Sequence, residues 1–165
     1  MAFDLSQLTP ETIEAAAKGF ADMGTVRELK GITDSEMEAV YSLGYSFYTT
    51  GRYADAEKVF RFLVLFDHLE KKYWTGLGAV YQVQKRYGEA ITAYGYASFL
   101  DLENPKPQFH AAECLLAMGD KGNAASAIMA LEQYCPKNTD LGREYRAKAA
   151  ELRKTIGEEA FKVED

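Results

Sequence analysis

The chain has 165 residues, which suits a single domain with a sizeable core, and its 47% hydrophobic and 27% charged residues are ordinary for a globular protein. Its 25 acidic and 19 basic residues give a net charge of −6, which argues against binding to nucleic acid or to an anionic membrane surface. No apolar run is long enough to span a membrane, and the N-terminus lacks the pattern of a secretory signal. The two cysteines, Cys114 and Cys135, are too few for a disulfide framework and indicate a reducing cytoplasm.

The first predicted helix covers about residues 9–23. Its start combines a threonine, a proline and a glutamate, which supply a capping hydroxyl, a fixed backbone angle and a favourable charge in the first turn. Ile13 and Phe20 lie on its apolar face. Residues 24–32 are then expected to form an irregular connection to the rest of the chain.

A sequence pattern recurs three times after this connection. Leu43-Gly44 returns as Leu77-Gly78 (77 − 43 = 34) and, in weaker form, as Ala111-Ala112 (111 − 77 = 34). A period of 34 residues with a small residue inside each helix is typical of the tetratricopeptide repeat, a helical hairpin that stacks into a superhelix. We therefore predict an all-α fold, a tetratricopeptide-repeat superhelix of three helical hairpins with a flanking N-terminal helix and a C-terminal capping helix.

Breaks at the same place in each repeat predict helices at about 36–50, 53–67, 70–84, 87–101, 105–118 and 121–134. A last helix after residue 139 carries an apolar stripe that would cap the open end of the superhelix, and the chain from residue 157 is predicted to be an acidic, mobile tail. The expected division is 1–32 for the N-terminal helix and connection, 33–138 for the repeats (37–70, 71–104 and 105–138), and 139–165 for the cap and tail.

The first helix of the first repeat has two distinct faces. Leu43 and Gly44 belong to the face that packs within the hairpin, whereas Tyr41, Tyr45 and Tyr48 lie roughly 110–120° away around the helix. An aromatic stripe at helical spacing is often simply core, but here other residues already fill the packing face. Because the first helix of each such hairpin lines the concave side of the superhelix, we interpret the tyrosines as one wall of a groove.

The equivalent positions in the other two repeats complete a predicted peptide-binding groove: Thr75, Ala79, Gln82, Phe109, Glu113 and Leu116. Small residues in the middle would allow a peptide backbone to approach closely. Gln82 and Glu113 would either hydrogen-bond to an extended strand or only face solvent. We expect a ligand with two or three apolar anchors, each contributing about 1.5–3 kcal/mol when it is buried.

The sequence offers no group of residues suited to catalysis, metal binding or cofactor binding. No glycine-rich phosphate loop occurs. His68 is placed at the turn between two repeats and His110 beside Phe109 on a helix, so both histidines have a structural explanation. We therefore expect a protein that is not an enzyme and that uses neither a metal nor a cofactor.

Two stretches of the sequence are closely similar to one family. DSEMEAVYSLGYSFYTTGRYADAEKVFRFLVLFDHLEKKYWTGLGAVYQ and PQFHAAECLLAMGD resemble the class II chaperones of bacterial type III secretion systems, which serve the pore-forming translocators. The likeness covers about residues 30–135, and the phrases LFDH, GLGA and FHAAECLL in their repeat positions are its most specific parts.

The resemblance implies a cytoplasmic, ATP-independent bacterial chaperone. Such a protein binds an extended N-terminal segment of a hydrophobic translocator in its concave groove and keeps that translocator soluble and competent for export. By position, the three tyrosines match the groove aromatics of the family, and Phe109 and Glu113 lie within its third-repeat motif.

The resemblance also implies further partners. Members are described as homodimers formed through N-terminal helices, for which Ile13 and Phe20 are the candidate residues here. Some members bind an AraC-type transcription activator and so take part in co-regulating transcription. The residues alone leave an alternative open, a generic tetratricopeptide-repeat scaffold or regulatory adaptor that holds a partner without protecting it.

Overall fold

The structure, a computed structural model, describes residues 24–161. The predicted helix at 9–23, with Ile13 and Phe20, lies outside the described residues, as do residues 162–165. Within the described part the chain forms eight α-helices, one short 3₁₀ turn and no strand. The prediction of an all-α fold is therefore confirmed, and none of these helices is long and apolar enough to cross a membrane.

The helices follow one another with short connections: α1 (Val26–Lys30), α2 (Asp34–Thr49), α3 (Tyr53–Phe66), α4 (Lys71–Val83), α5 (Tyr87–Leu100), α6 (Pro105–Ala117), α7 (Lys121–Tyr134), α8 (Asp140–Ile156) and the 3₁₀ turn (Glu158–Phe161). Helices α2 and α3, α4 and α5, and α6 and α7 pair as hairpins, and each hairpin packs on the next. The predicted bounds of these six helices agree with the observed ones to within about two residues, and α8 packs on the last hairpin as the predicted cap.

Local sequence explains where several helices begin. The Thr33 hydroxyl accepts a hydrogen bond from the Glu36 amide, and the Glu36 carboxylate accepts one from the Thr33 amide at 2.8 Å, which together form a capping box at the start of α2. The Asn104 side chain caps α6, whose first residue is a proline. Thr139 accepts the Gly142 amide at the start of α8. These caps act within one turn of the chain and mark where the helices begin.

Two glycines of α4 allow the neighbouring helices to pack closely. A Cβ atom on Gly76 would lie 2.2 Å from the ring of Phe60 in α3, and one on Gly78 would lie 2.7 Å from the ring of Tyr94 in α5. Both rings are almost completely buried and packed within the core. The glycines therefore set how closely α4 approaches α3 on one side and α5 on the other.

The core is divided into sections along the superhelix. One section surrounds Phe60 between α2, α3 and α4, a smaller one surrounds Tyr94, and a third surrounds Ile128 between α6, α7 and α8. Cys114 and Cys135 are buried as free thiols in these sections. Burial raises the pKa of Cys114 to about 11, so this thiol stays protonated and acts as a small packing residue.

Residues 24–32 are more regular than the sequence predicts, because they contain α1. Thr25 forms a second capping box with Glu28, and Gly31 ends the helix with a φ of 66°. The Arg27 guanidinium donates to the Asp67 carboxylate at 3.1 Å and to the Ile32 carbonyl at 3.1 Å. Five residues are too few to show a helical period in the sequence, and this tertiary ion pair holds the segment against α3.

The start of the predicted tail is also ordered. After Gly157 the chain forms the 3₁₀ turn, and the Phe161 ring lies 3.9 Å from the Arg153 guanidinium while packing against the C-terminal core. Residues 157–161 therefore have more regular structure than an irregular tail, and the mobility of the tail stays a prediction. Cation–π attraction and apolar contact hold this segment, and neither is visible in an acidic composition.

Leu43 also differs from its predicted position. Gly44 is buried as expected, but the Leu43 side chain is 48% exposed, whereas Leu77 at the equivalent position is buried. Leu77 lies in α4, which packs against both α3 and α5, whereas in the described part of the chain α1 packs on α3 and leaves this face of α2 open. The repeat position is thus the same, but its surroundings are not.

Candidate peptide-binding groove

Helices α2, α4 and α6 together line a cavity of about 430 Å³, here called the aromatic cavity. Five of the predicted groove residues lie in its walls: Tyr41, Tyr45, Tyr48, Thr75 and Ala79. The three tyrosines come from α2, and the two small residues come from α4 and leave space opposite the rings. The structure therefore brings together the part of the row that the sequence assigns to the first two repeats.

A second cavity of about 510 Å³, the polar cavity, adjoins the first and shares Tyr48, Thr75 and Ala79 with it. Its other lining residues include Gln82 from α4 and Glu113 from α6, which were both predicted. The two cavities together form a continuous surface depression that we call the groove. Seven of the nine residues predicted for peptide binding line it, and their role in binding stays a prediction.

The three tyrosines have different surroundings. The Tyr41 ring packs on the rings of Phe60 and Tyr73, with centroid distances of 5.8 and 5.9 Å, and its partial burial raises the pKa of its phenol. Tyr45 is 55% exposed, and Tyr48 is partly exposed between the two cavities. The core and groove interpretations therefore apply to different members of the stripe, because Tyr41 braces the wall from inside while Tyr45 presents its ring to the groove.

A chain of hydrogen bonds crosses the polar cavity. The Tyr94 hydroxyl donates to Gln82 Oε1 at 2.7 Å, Gln82 Nε2 donates to Glu113 Oε2 at 3.3 Å, and His110 Nδ1 lies 2.8 Å from the same carboxylate oxygen. Desolvation raises the pKa of Glu113, but hydrogen bonds from His110 and Gln82 and the charge of Lys148 outweigh it, so that this pKa lies below its ordinary value. Gln82 and Glu113 are therefore held in fixed positions, and the ionised Glu113 carboxylate acts as a hydrogen-bond acceptor.

We expect Tyr94→Phe to lower the free energy of unfolding by about 1 kcal/mol, because Gln82 Oε1 loses its donor in a half-buried place. Tyr96→Phe is the matched control, since within residues 24–161 the Tyr96 hydroxyl has no hydrogen-bond partner, and it should change stability little. Urea unfolding followed by circular dichroism measures both. Equal stability of the two variants would show that the Tyr94 bond contributes nothing.

The structure corrects the predicted positions of Phe109 and Leu116. Phe109 is only 8% exposed and belongs to the C-terminal core, where its ring meets that of Tyr145 edge to face at a centroid distance of 5.5 Å. Leu116 packs against the same core, and neither residue lines the groove. The reason is that α8 lies against α6 and supplies Tyr145, which covers this face of the third repeat. His110, the next residue, faces the polar cavity instead.

Three lysines of the groove, Lys71, Lys72 and Lys106, were not predicted from the sequence. Lys72 and Lys106 line the aromatic cavity, and Lys72 Nζ lies 4.8 Å from the centre of the Tyr41 ring. With Glu38 they occupy one repeat position (72 − 38 = 34 and 106 − 72 = 34), one helical turn before Tyr41 and its equivalents. Extending the predicted row by one turn toward the start of each helix would have found Lys72 and Lys106.

The chain is similar to known proteins of one family. Residues 37–68 and 72–104 match the tetratricopeptide-repeat family. Over 117 residues the chain is 37% identical to the low calcium response locus protein H of Yersinia pestis, which covers 71% of this chain and 70% of that protein. The chain is also similar to the Yersinia enterocolitica type III secretion chaperone SycD, which has been solved in complex with a peptide of the translocator YopD. The two structures have a TM-score of 0.71 and 34% sequence identity, and the match covers 76% of this chain and 95% of that one. The chain belongs to the type III secretion translocator chaperones.

The family of this translocator chaperone consists of chaperones and not of enzymes, in line with the sequence. SycD has also been solved as an alternative dimer, which is similar to this chaperone with a TM-score of 0.69 and 34% identity over 76% of this chain and 94% of that one. In the part of the chain that the structure describes, no three His, Cys, Asp or Glu residues are placed to hold a metal ion.

Proposed function

We propose that this chaperone binds an extended N-terminal segment of a hydrophobic translocator in its groove and thereby keeps the translocator soluble and competent for export. The observation that carries the proposal is the aromatic cavity itself, in which the exposed ring of Tyr45 faces the small side chains of Thr75 and Ala79 across open space. Exposed apolar surface of this kind usually marks a binding site. The YopD peptide bound to SycD supports a translocator segment as the ligand.

The size of the groove fits a short extended segment with apolar anchors. Each anchor buried in one of the two cavities contributes about 1.5–3 kcal/mol. The ordering of the segment and the loss of its freedom offset a large part of this gain. A dissociation constant of about 1 μM, equivalent to about −8 kcal/mol, is a reasonable expectation for two or three anchors with added backbone hydrogen bonds.

The proposal extends to the setting in which the chaperone acts. We propose a bacterial cytoplasmic protein that needs no ATP and that forms a homodimer, which the SycD dimer supports. The roles of Ile13 and Phe20 in that dimer and the partnership with an AraC-type activator stay predictions, as does the division of the chain at residues 32 and 138. No contact in the described residues favours transcriptional co-regulation, so the proposal is confined to client binding.

Co-expression with a translocator tests the proposal against the alternative of a scaffold or adaptor. A translocator encoded beside this chaperone should be recovered in the soluble fraction several times more efficiently with the chaperone than without it, because its apolar segments are covered. The two should also elute together from a size-exclusion column. A partner that binds but is equally soluble alone would indicate a scaffold, and no co-elution would contradict the proposal.

A further inference from the structure

The groove contains one row of charged residues with a break in its pairing. Glu38, Lys72 and Lys106 occupy the same repeat position in α2, α4 and α6. The ammonium of Lys72 forms an ion pair with the carboxylate of Glu38 in the preceding repeat. Lys106 has Lys72 as its counterpart in the preceding repeat, and two ammonium groups repel each other. The repeat arrangement that neutralises Lys72 therefore gives Lys106 no ion-pair partner among the described residues.

Lys106 lies in the groove with its charge unmatched. It is exposed, it lines both the aromatic and the polar cavity, and it forms no ion pair with any residue between 24 and 161. Lys106 helps to lower the pKa of Glu144, but the Glu144 carboxylate is bonded to Lys148 at 2.6 Å. Lys106 thus has its donor capacity available at the junction of the two cavities.

The wider charge distribution of the aromatic cavity points in the same direction. Lys71, Lys72 and Lys106 line it together with Glu70. Lys72 is already paired with Glu38, and the Glu70 carboxylate accepts a hydrogen bond from the Lys72 amide. Lys71 is occupied by Asp101 at a distance of 2.6 Å. Among the described residues that line this cavity, Lys106 is the cation without an ion pair, and its attraction for an anionic group strengthens when a bound segment excludes water from the cavity.

We infer that the segment bound in the groove carries an aspartate or glutamate beside its apolar anchors, and that Lys106 binds this carboxylate. The inference rests on the proposed function and adds a charge requirement to it. Glu113 lines only the polar cavity, where it repels a carboxylate. The acidic side chain is therefore accommodated at the junction or in the aromatic cavity, and the rest of the segment continues past Glu113.

Selection from a phage-displayed library of random dodecapeptides tests the inference without a known client. The full chain is immobilised as wild type, as Lys106→Gln, as Tyr45→Ala and as Lys121→Gln. Lys121 is the matched control because it is also exposed, lies near a helix start, forms no ion pair within the described residues and lines neither cavity of the groove. Wild type and Lys121→Gln should enrich peptides in which an acidic residue lies beside apolar anchors.

Lys106→Gln should still enrich the apolar anchors but lose the preference for an acidic residue. For a selected acidic peptide, this substitution should raise the dissociation constant about three- to tenfold, as expected for one charge-assisted hydrogen bond at a partly exposed site. The wild-type constant should also rise more steeply than that of the variant as salt increases from about 0.15 to about 1 M, where the Debye length falls from about 8 to about 3 Å.

The outcomes separate this inference from the proposed function. Apolar peptides without acidic enrichment, or acidic enrichment that Lys106→Gln retains, would overturn the inference and leave the groove as an apolar binding site. If the selected peptides show no enrichment of apolar residues, or if Tyr45→Ala selects the same peptides as wild type, both the inference and the proposed function would be overturned. Acidic enrichment that also disappears with Lys121→Gln would show an effect of overall charge and would equally overturn the role of Lys106.

Discussion

Replacing Tyr45 with alanine is expected to weaken the binding of a translocator segment by about ten- to thirtyfold while the thermal stability of the chain hardly changes. The Tyr45 ring is 55% exposed and lines the aromatic cavity, so it is available to a ligand and contributes little to the core. Truncation of a central aromatic side chain in an interface commonly costs about 2 kcal/mol, which corresponds to this change in affinity.

Isothermal titration calorimetry with a groove-binding peptide measures the affinity, and thermal unfolding measures stability. Tyr134→Ala is the matched control, since Tyr134 is 45% exposed but lies at the end of α7 outside both cavities. Tyr41→Ala is less informative, because the loss of its contacts with Phe60 and Tyr73 should lower stability as well. Wild-type affinity in Tyr45→Ala would contradict the assignment of the groove.

The second large effect is expected from Gly76→Ala, which should lower the free energy of unfolding by about 2–3 kcal/mol. The new methyl carbon would lie 2.2 Å from Phe60 Cε1, and the buried Phe60 ring cannot move without disturbing the section of core around it. Helix α4 must shift away from α3, and this should also deform the aromatic cavity, since Gly76 and Phe60 both line it.

Gly95→Ala is the matched control for this prediction. Gly95 lies in the middle of α5, and a Cβ atom there would meet nothing within 4 Å. Alanine should therefore stabilise the chain by about 0.5–1 kcal/mol, because it restricts the unfolded backbone and favours helix. Urea unfolding should give opposite signs for the two substitutions. If both variants are less stable than wild type, then helix propensity and the room for a Cβ atom do not explain why glycine occupies these two positions.

The sequence predicts the hairpins well because their signals are local. Helical periodicity, the capping box of Thr33 and Glu36 and the proline at the start of α6 act within one or two turns of the chain, and the helix bounds follow from them. The same applies to the row of groove positions, since a fixed repeat length places Tyr45 and Ala79 on equivalent faces of α2 and α4.

The side-chain positions that the sequence predicted wrongly have a common physical cause, because the burial of a side chain depends on neighbours that are distant in sequence. Phe109 has the groove position of its repeat, but α8 covers it with Tyr145. Leu43 has the packing position of its repeat, yet it is exposed because α1 lies against α3. Neither neighbour belongs to the repeat pattern, so the period carries no information about it.

The amino-acid sequence by itself thus determines the all-α repeat fold and the faces of α2 and α4 that turn toward the groove, because these depend on hydrogen bonds and periodicities a few residues long. Only the tertiary structure decides which of those side chains stay accessible and which charges find partners. Tyr41 and Tyr45 share a stripe but differ in burial, and Lys72 and Lys106 share a repeat position but differ in pairing. In both cases the residue on the adjoining helix makes the difference, since packing and Coulomb attraction act through space and not along the chain.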